Sequence, residues 1–192
     1  MIPLPALFYS QPTVEVARSL LGQNLVSFMN GVETAGIIME TEAYVADDPA
    51  SHAYRRQTPR NAAMFGPAAA VYVYRSYGLH TCFNVVTGPA GSAEAVLLRI
   101  LLPTVGLGTM RQRRGEAIVD GKLCSGPGNL CVALKIGMEL YGHRIDKLPL
   151  LIAETPVSEH RSFMVRHQIF ERPRIGISQG KDLPLRFTAV PI

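Results

Sequence analysis

Apolar positions along the chain fall into short runs broken by Gly, Pro and Asn, a pattern of hairpins rather than of long helices. Thr13 to Leu21 repeats its apolar residues at helical spacing, with Thr13 placed to cap the start and Gly22 to stop it. Leu25-Val26-Ser27-Phe28 reads as a strand, Met29-Asn30-Gly31 as a hairpin turn by its Asn-Gly pair, and Thr34 to Val45 as the returning strand. A polar stretch without periodicity runs from Ala46 to Ala63, and loops of that length are usually functional or disordered. Val71 to Tyr74 and Thr81 to Val86 are strands flanking a connection from Arg75 to His80. Ala95 to Leu102 is a strongly apolar strand, and Thr104 to Arg114 has helical character. Ser125-Gly126-Pro127-Gly128 opens a further helix to about Ile136, with Pro127 near its first turn. The remainder holds short strands, and Pro184 to Phe187 closes the chain. Hairpins dominate and helices do not alternate regularly with strands. The expectation is an α+β fold, a single mixed domain over residues 1–192 with an antiparallel sheet at its core.

Strand alternation puts Ile37, Met39, Thr41, Ala43 and Val45 on one largely apolar face, and Glu40, Glu42 and Tyr44 on the other. Two carboxylates and a phenol in that register are either a water-facing surface or a site. Other residues favour a site. Tyr72 and Tyr74 share a face of a later strand, and Tyr77 lies in its connection, where exposure is expected. Arg99 interrupts the run Val96 to Leu102. A buried unpaired charge costs several kcal/mol, so Arg99 must meet a carboxylate, with Glu40 and Glu42 the best candidates. Asn84 sits in an apolar strand and needs backbone, water or a ligand as partner. His52, in the long loop, reads by itself as a surface histidine.

Composition narrows the classes. Hydrophobic residues make up 47% and charged residues 18% of 192, so the chain folds around a sizeable core. No apolar run approaches the roughly 18 residues that span a bilayer, and the start, Met1-Ile2-Pro3-Leu4-Pro5, lacks a secretory profile. A cytoplasmic protein is expected. Cys82, Cys124 and Cys131 are odd in number, without CxxC spacing or a nearby histidine cluster, so neither a zinc site nor a disulfide framework is indicated. The net charge of +4 leans toward a polyanion. Arg55, Arg56 and Arg60 cluster in one segment and Arg111, Arg113 and Arg114 in another; each cluster is a solvated face or a phosphate contact. Aromatic faces, a carboxylate near an arginine, an amide and basic loops suit a flat ligand attached to phosphates, such as a nucleobase taken out of its stack. Stacking returns roughly 1–3 kcal/mol per base, comparable to the few kcal/mol that extraction costs.

These residues resemble the alkyladenine DNA glycosylase family, the mammalian-type 3-methyladenine glycosylases. The matching blocks are ETEAY from Glu40, RQTPRN from Arg56, MFGP from Met64, YVYRSYG from Tyr72, CFN from Cys82, LLR from Leu97, LCSGPGNLC from Leu123 and PLRF from Pro184. They run in the family's order over nearly the whole chain. The resemblance implies a curved antiparallel sheet flanked by helices. It also implies a monomeric enzyme without metal or organic cofactor, acting on double-stranded DNA in the nucleoid of a bacterium. Its reaction would be hydrolysis of the N-glycosidic bond of 3-methyladenine, 7-methylguanine, hypoxanthine or ethenoadenine, leaving an abasic site for base excision repair. It implies Glu42 as general base, Arg99 as the arginine holding that carboxylate and its water, and Tyr44, His52 and Tyr74 as rings around the flipped base. Asn84 falls on the side chain that disfavours guanine's 2-amino group, Tyr77 on the duplex wedge, and Arg56, Thr58 and Arg60 on DNA-contacting positions. Leu79-His80, beside the wedge, stands where mammalian members have Met-Tyr, and the loop from Tyr44 to His52 is one residue shorter. No lysine falls at the catalytic position, so strand cleavage through a Schiff base is not expected. From the residues alone, two other readings stay open. One is a glycoside hydrolase using Glu40 and Glu42 near the spacing of about 5–5.5 Å typical of retaining enzymes, though the chain has no tryptophan for sugar stacking. The other is a catalytically silent nucleic-acid-binding module.

Overall fold

The computed structural model describes residues 1–192. In chain order the elements are α1 (Ala6–Tyr9), α2 (Thr13–Ser19), β1 (Asn24–Ser27), β2 (Thr34–Tyr44), β3 (Val71–Ser76), β4 (His80–Thr87) and β5 (Glu94–Val105). They continue with α3 (Leu107–Arg114), α4 (Pro127–Leu134), β6 (Asp146–Lys147), β7 (Leu150–Ala153), α5 (Val157–Arg166), β8 (His167–Arg172) and β9 (Arg186–Pro191). All strands join one curved sheet in the order β3-β4-β5-β2-β1-β7-β6, with β9 pairing both β2 and β8. Every pairing is antiparallel, so the fold is α+β as the pattern of hairpins requires.

The sheet has two differently used faces. Residues such as Val73, Phe83, Val85, Val96 and Leu98 point into a core of 32 buried residues, where α2 and α4 add Val16, Ala17, Leu130 and Leu134. Their alternates, including Tyr72, Val86 and Ala95, join a smaller cluster on the opposite face, under the loop that holds Ala53 and Met64. That second face carries the candidate site.

β2 organises the site because it has three neighbours. β5 runs along one edge, while the other edge is shared between β1, at Thr34 to Ile37, and β9, at Glu40 to Glu42. The handover coincides with register irregularities against β5 on both sides of Glu40. A bulge of this kind changes which residues face inward. Ile38 is fully buried in the main core, whereas Ile37 and Met39 lie at its margin; beyond the irregularity Thr41 and Ala43 are the pair turned to the core side. The apolar face expected through Ile37 and Met39 is thus corrected. On β5 the same break leaves Leu98 and Leu101 in the core, with Arg99 between them turned to the other face.

Other element boundaries also differ from expectation. Thr13 does not cap α2; it is the helix's first residue, after Pro12, and its hydroxyl bonds to Thr87 at 2.8 Å and to Glu94. The helix ends at Ser19, and Gly22 follows at φ +83°, where an added Cβ would stand 2.7 Å from the Phe163 ring. β3 and β4 extend through Ser76 and from His80, which shortens their connection to the tip Tyr77-Gly78-Leu79. α5 escaped the pattern because it buries only Phe163, too little for a helical stripe. The arginines of α3 are neither free nor a bare face: Arg111 pairs with Asp120 at 2.6 Å, while Arg113 and Arg114 donate to the carbonyls of Ala133 and Leu123.

Candidate active site

β2 brings Glu40, Glu42 and Tyr44 onto the second face of the sheet, and β5 delivers Arg99 against them. Glu42 has no exposed surface and Glu40 is 3% exposed. Arg99 meets both carboxylates, donating from Nε to Glu40 Oε1 at 2.8 Å and reaching Glu42 Oε1 with Nη1 at 3.2 Å. Glu42 also accepts the Ile175 backbone N–H at 2.9 Å and the Tyr44 hydroxyl at 3.1 Å. A carboxylate offers about four lone-pair sites, so these three donors leave it one more acceptor site. Burial pushes the Glu42 carboxyl above its ordinary range; Arg99, the Ile175 N–H and the Tyr44 hydroxyl pull the other way, and Glu40 adds to the rise. For Arg99, burial opposes the charged form, but Glu42 and Glu40 outweigh it and the guanidinium is held charged more firmly than usual.

In front of Arg99 opens a cleft of about 490 Å³. Tyr44, His52 and Tyr74 line it, with Asn84 and Leu97 deeper in and Tyr77 at its mouth. The rings support one another. Tyr72 and Tyr74 stack with centroids 5.5 Å apart, His52 meets Tyr74 edge-on at 4.4 Å, and His52 Nδ1 shares a hydrogen bond of 2.9 Å with the Tyr72 hydroxyl. Partial burial, then the charge of Arg60, lowers the His52 pKa and favours the neutral ring. Asn84 donates to the Tyr72 carbonyl at 3.1 Å, which fixes its amide against the cleft. Cys82 also lines the cleft, but burial raises its thiol pKa, the opposite of what a nucleophile needs.

Comparison with known proteins identifies the family. A family model described as methylpurine-DNA glycosylase matches residues 7–190. A Methanoculleus marisnigri protein is 50% identical over 96% of this chain and 93% of its own, and a Nitrosospira multiformis protein 47% identical over 95% and 88%. A Carboxydothermus hydrogenoformans protein is 45% identical over 96% and 93%. All three are named, by inference, 3-methyladenine DNA glycosylases. The chain belongs to the methylpurine-DNA glycosylase family. It is therefore a DNA glycosylase, a DNA-binding enzyme of base excision repair. No helix of the glycosylase is long and apolar enough to cross a membrane, and no group of three or more His, Cys, Asp and Glu residues is placed to hold a metal ion.

The glycosylase's remaining candidates are spread over the β3–β4 tip and the loop after β2. Tyr77 and Leu79 are 89% and 75% exposed at the β3–β4 tip, where Tyr77 and Gly78 take φ of +50° and +73°. Arg60 lines the cleft, donates to the Arg75 carbonyl at 3.2 Å and lies over the Tyr74 ring. Arg56, Thr58, Leu79 and His80 lie outside the cleft lining; His80 packs against Gly128 at the start of α4.

Several residues of the site carried no sequence signal of their own. Asn61 is buried and holds the long loop: its Oδ1 accepts the Thr58 N–H at 2.6 Å, and its Nδ2 donates to the carbonyls of His52 and Arg56. Arg174 and Asp48, both side chains fully buried, form an ion pair between the segment after β8 and that loop. The Arg174 guanidinium lies 4.7 Å from the centre of the Tyr44 ring. Arg186 and Thr188 of β9 reach Glu40 at 2.8 and 2.9 Å. The bonds of Asn61 are local to its loop, but the pairings of Arg174 and Arg186 join residues far apart in the chain, a relation that periodicity does not encode.

Proposed function

We propose that this glycosylase releases alkylated or deaminated purines from double-stranded DNA, with 3-methyladenine, 7-methylguanine, hypoxanthine and ethenoadenine as its substrate class. The damaged nucleotide rotates out of the duplex into the cleft, where Tyr44, His52 and Tyr74 stack against the base. Glu42 takes a proton from water, whose oxygen bonds to C1′ as the C1′–N bond breaks and the purine leaves with the bonding electrons. Arg99 holds the carboxylate and the water in line. Asn84 disfavours the 2-amino group of normal guanine. Tyr77 fills the gap left in the duplex, with Leu79 and His80 beside it, while Arg56, Thr58 and Arg60 meet the phosphates. Water is the nucleophile of this reading, since no lysine lines the cleft, and the enzyme works as a monomer without a cofactor.

The observation that carries the reading is the placement of Glu42. It is a wholly buried carboxylate with a raised pKa, held by Arg99 and Tyr44 directly behind a cleft walled by aromatic rings. A general base serves best when its pKa lies nearer the working pH, and burial moves the Glu42 carboxyl in that direction while Arg99 opposes the rise. The test is Glu42→Gln on duplex DNA holding one hypoxanthine. Base release is expected to fall by about 100-fold or more, within the range ascribed to general-base catalysis, with DNA affinity retained. Full activity in that variant, or a wild-type enzyme inert toward every alkylated and deaminated purine, would overturn the reading.

A further inference from the structure

We propose that Glu40 is a positioning residue of the glycosylase: it holds Arg99 by one edge and so sets how closely Arg99 can grip Glu42. The proposal rests on the reading of Glu42 as general base.

Glu40 is buried and spends both oxygens on the site. Oε1 takes Arg99 Nε at 2.8 Å, and Oε2 takes Arg186 Nη1 at 2.8 Å and the Thr188 hydroxyl at 2.9 Å. The register explains the arrangement, since Glu40 lies opposite Thr188 and Glu42 opposite Arg186 where β9 replaces β1 beside β2. Neither Glu40 nor Glu42 lines the cleft itself, but Glu42 bonds to the lining residue Tyr44, whereas Glu40 is engaged by Arg99, Arg186 and Thr188. Stability is not a sufficient reason for Glu40, because a buried ion pair often contributes no more than an apolar pair of similar size.

Its effect lies in what it denies Arg99. A guanidinium facing a single carboxylate tends to bind it through two parallel N–H bonds. Here Glu40 claims Nε, which closes any two-pronged grip on Glu42 through that edge, and Glu42 is met by Nη1 alone at the longer distance of 3.2 Å. Arg99 is thereby shared. Glu42 keeps an acceptor site for water and is less stabilised as an anion than a two-pronged grip would make it. The charged and titratable groups around Glu42 are Glu40 and Tyr44 from β2, Arg99 from β5, Arg174 from the segment after β8, and Cys82 from β4; Arg186 from β9 reaches it through Glu40. Among them only Glu40 both repels the Glu42 charge and restrains its arginine.

Two variants separate charge from geometry. In Glu40→Gln an oxygen still accepts Arg99 Nε but the negative charge is gone. In Glu40→Ala the anchor is lost and Arg99 is free to close on Glu42. The measurement is single-turnover base release from a hypoxanthine duplex across pH from about 5 to about 9, alongside DNA affinity and melting temperature. The acidic limb of the rate profile reports the base in the complex. It is expected to move down by about one pH unit in Glu40→Gln. It should move at least as far in Glu40→Ala, with a plateau rate about tenfold lower, while Glu40→Gln keeps most of the wild-type rate. A structural role alone would lower the melting temperature and leave the limb in place. An unmoved or upward-shifted limb in Glu40→Gln, or a wild-type plateau in Glu40→Ala, overturns the proposal. Glu42→Gln measured in parallel keeps the two readings apart. If it still releases base, the general-base reading fails and takes this proposal with it. If it is inactive while both Glu40 variants match wild type, only the role of Glu40 is lost.

Discussion

Glu42 and Tyr77 stand at opposite extremes of exposure, and each extreme has a measurable consequence. Glu42 is enclosed and its pKa is raised, so from its ordinary value of 4.5 upward the folded enzyme binds more protons at this group than the unfolded chain does. Stability therefore falls as pH rises through the interval up to the raised value, so ionising Glu42 is a net cost to the fold. Glu42→Gln removes that cost. It is expected to melt no lower than wild type at neutral pH, with the difference shrinking as pH falls through that interval toward 4.5, as followed by thermal denaturation at both ends of the range. A lower melting temperature at neutral pH would mean that the contact with Arg99 outweighs burial. Tyr77, at 89% exposure, contributes little to the core. Tyr77→Ala is expected to leave the melting temperature within a degree or two, since exposed substitutions usually change stability by no more than about 0.5 kcal/mol. The same change should weaken binding and base release on lesion-containing duplex. Unchanged affinity and rate would remove the wedge assignment.

At the scale of elements, the lid over the site depends on one ion pair. The segment between β8 and β9 brings the Ile175 N–H to Glu42, and it is moored to the loop after β2 by Arg174 against Asp48. Both side chains are fully buried, and Arg174 also donates to the Ala43 carbonyl at 3.0 Å. Removing one partner strands the other charge without solvent. Arg174→Met is expected to cost about 3–5 kcal/mol in urea denaturation and to slow base release by loosening the hold of Ile175 on Glu42. The double variant Arg174→Met, Asp48→Leu should recover part of that stability, because it leaves no uncompensated charge. Equal losses in the single and double variants would show that packing, rather than charge, governs this pairing. The register break in β2 belongs to the same scale. It lets Ile38 serve the core while Glu40 and Glu42, a few residues on, serve the site.

For the molecule as a whole, the two faces of the sheet divide the work. One face is sealed by α2 and α4 and supplies the rigid base, and the other holds the cleft under two loops. The net charge of +4 is not spread evenly in effect, since the α3 arginines are tied to their neighbours, whereas Arg60 lines the cleft and Arg56 stands exposed in the same loop. DNA binding is expected to weaken with salt along a straight line in log–log coordinates. Replacing Arg56 and Arg60 together by Gln should reduce that slope by about 2, near one for each phosphate that an arginine no longer neutralises. The same double change in Arg113 and Arg114 should leave the slope as it is. Titrations of a labelled duplex at several salt concentrations read both.

Local spacing determined a good deal by itself. Alternation in ETEAY set Glu40, Glu42 and Tyr44 on one face, and an arginine in an apolar strand had to find a carboxylate. Hairpin punctuation gave the antiparallel sheet, and blocks such as YVYRSYG carried the family. These are properties of residues close in sequence, where backbone geometry fixes relative position. What only the tertiary structure decided depends on pairs distant in the chain. The face that looked open to water is covered because the segment from Arg174 to Ser178 folds over it. Thr13 is turned from a cap into a tether by Thr87 and Glu94. The inward face of β2 changes partway because the strand exchanges β1 for β9, and Glu40 gains its partners from that exchange. A strand's own sequence says which residues alternate, but which neighbour it meets, and where that neighbour changes, follows from how the rest of the chain packs against it.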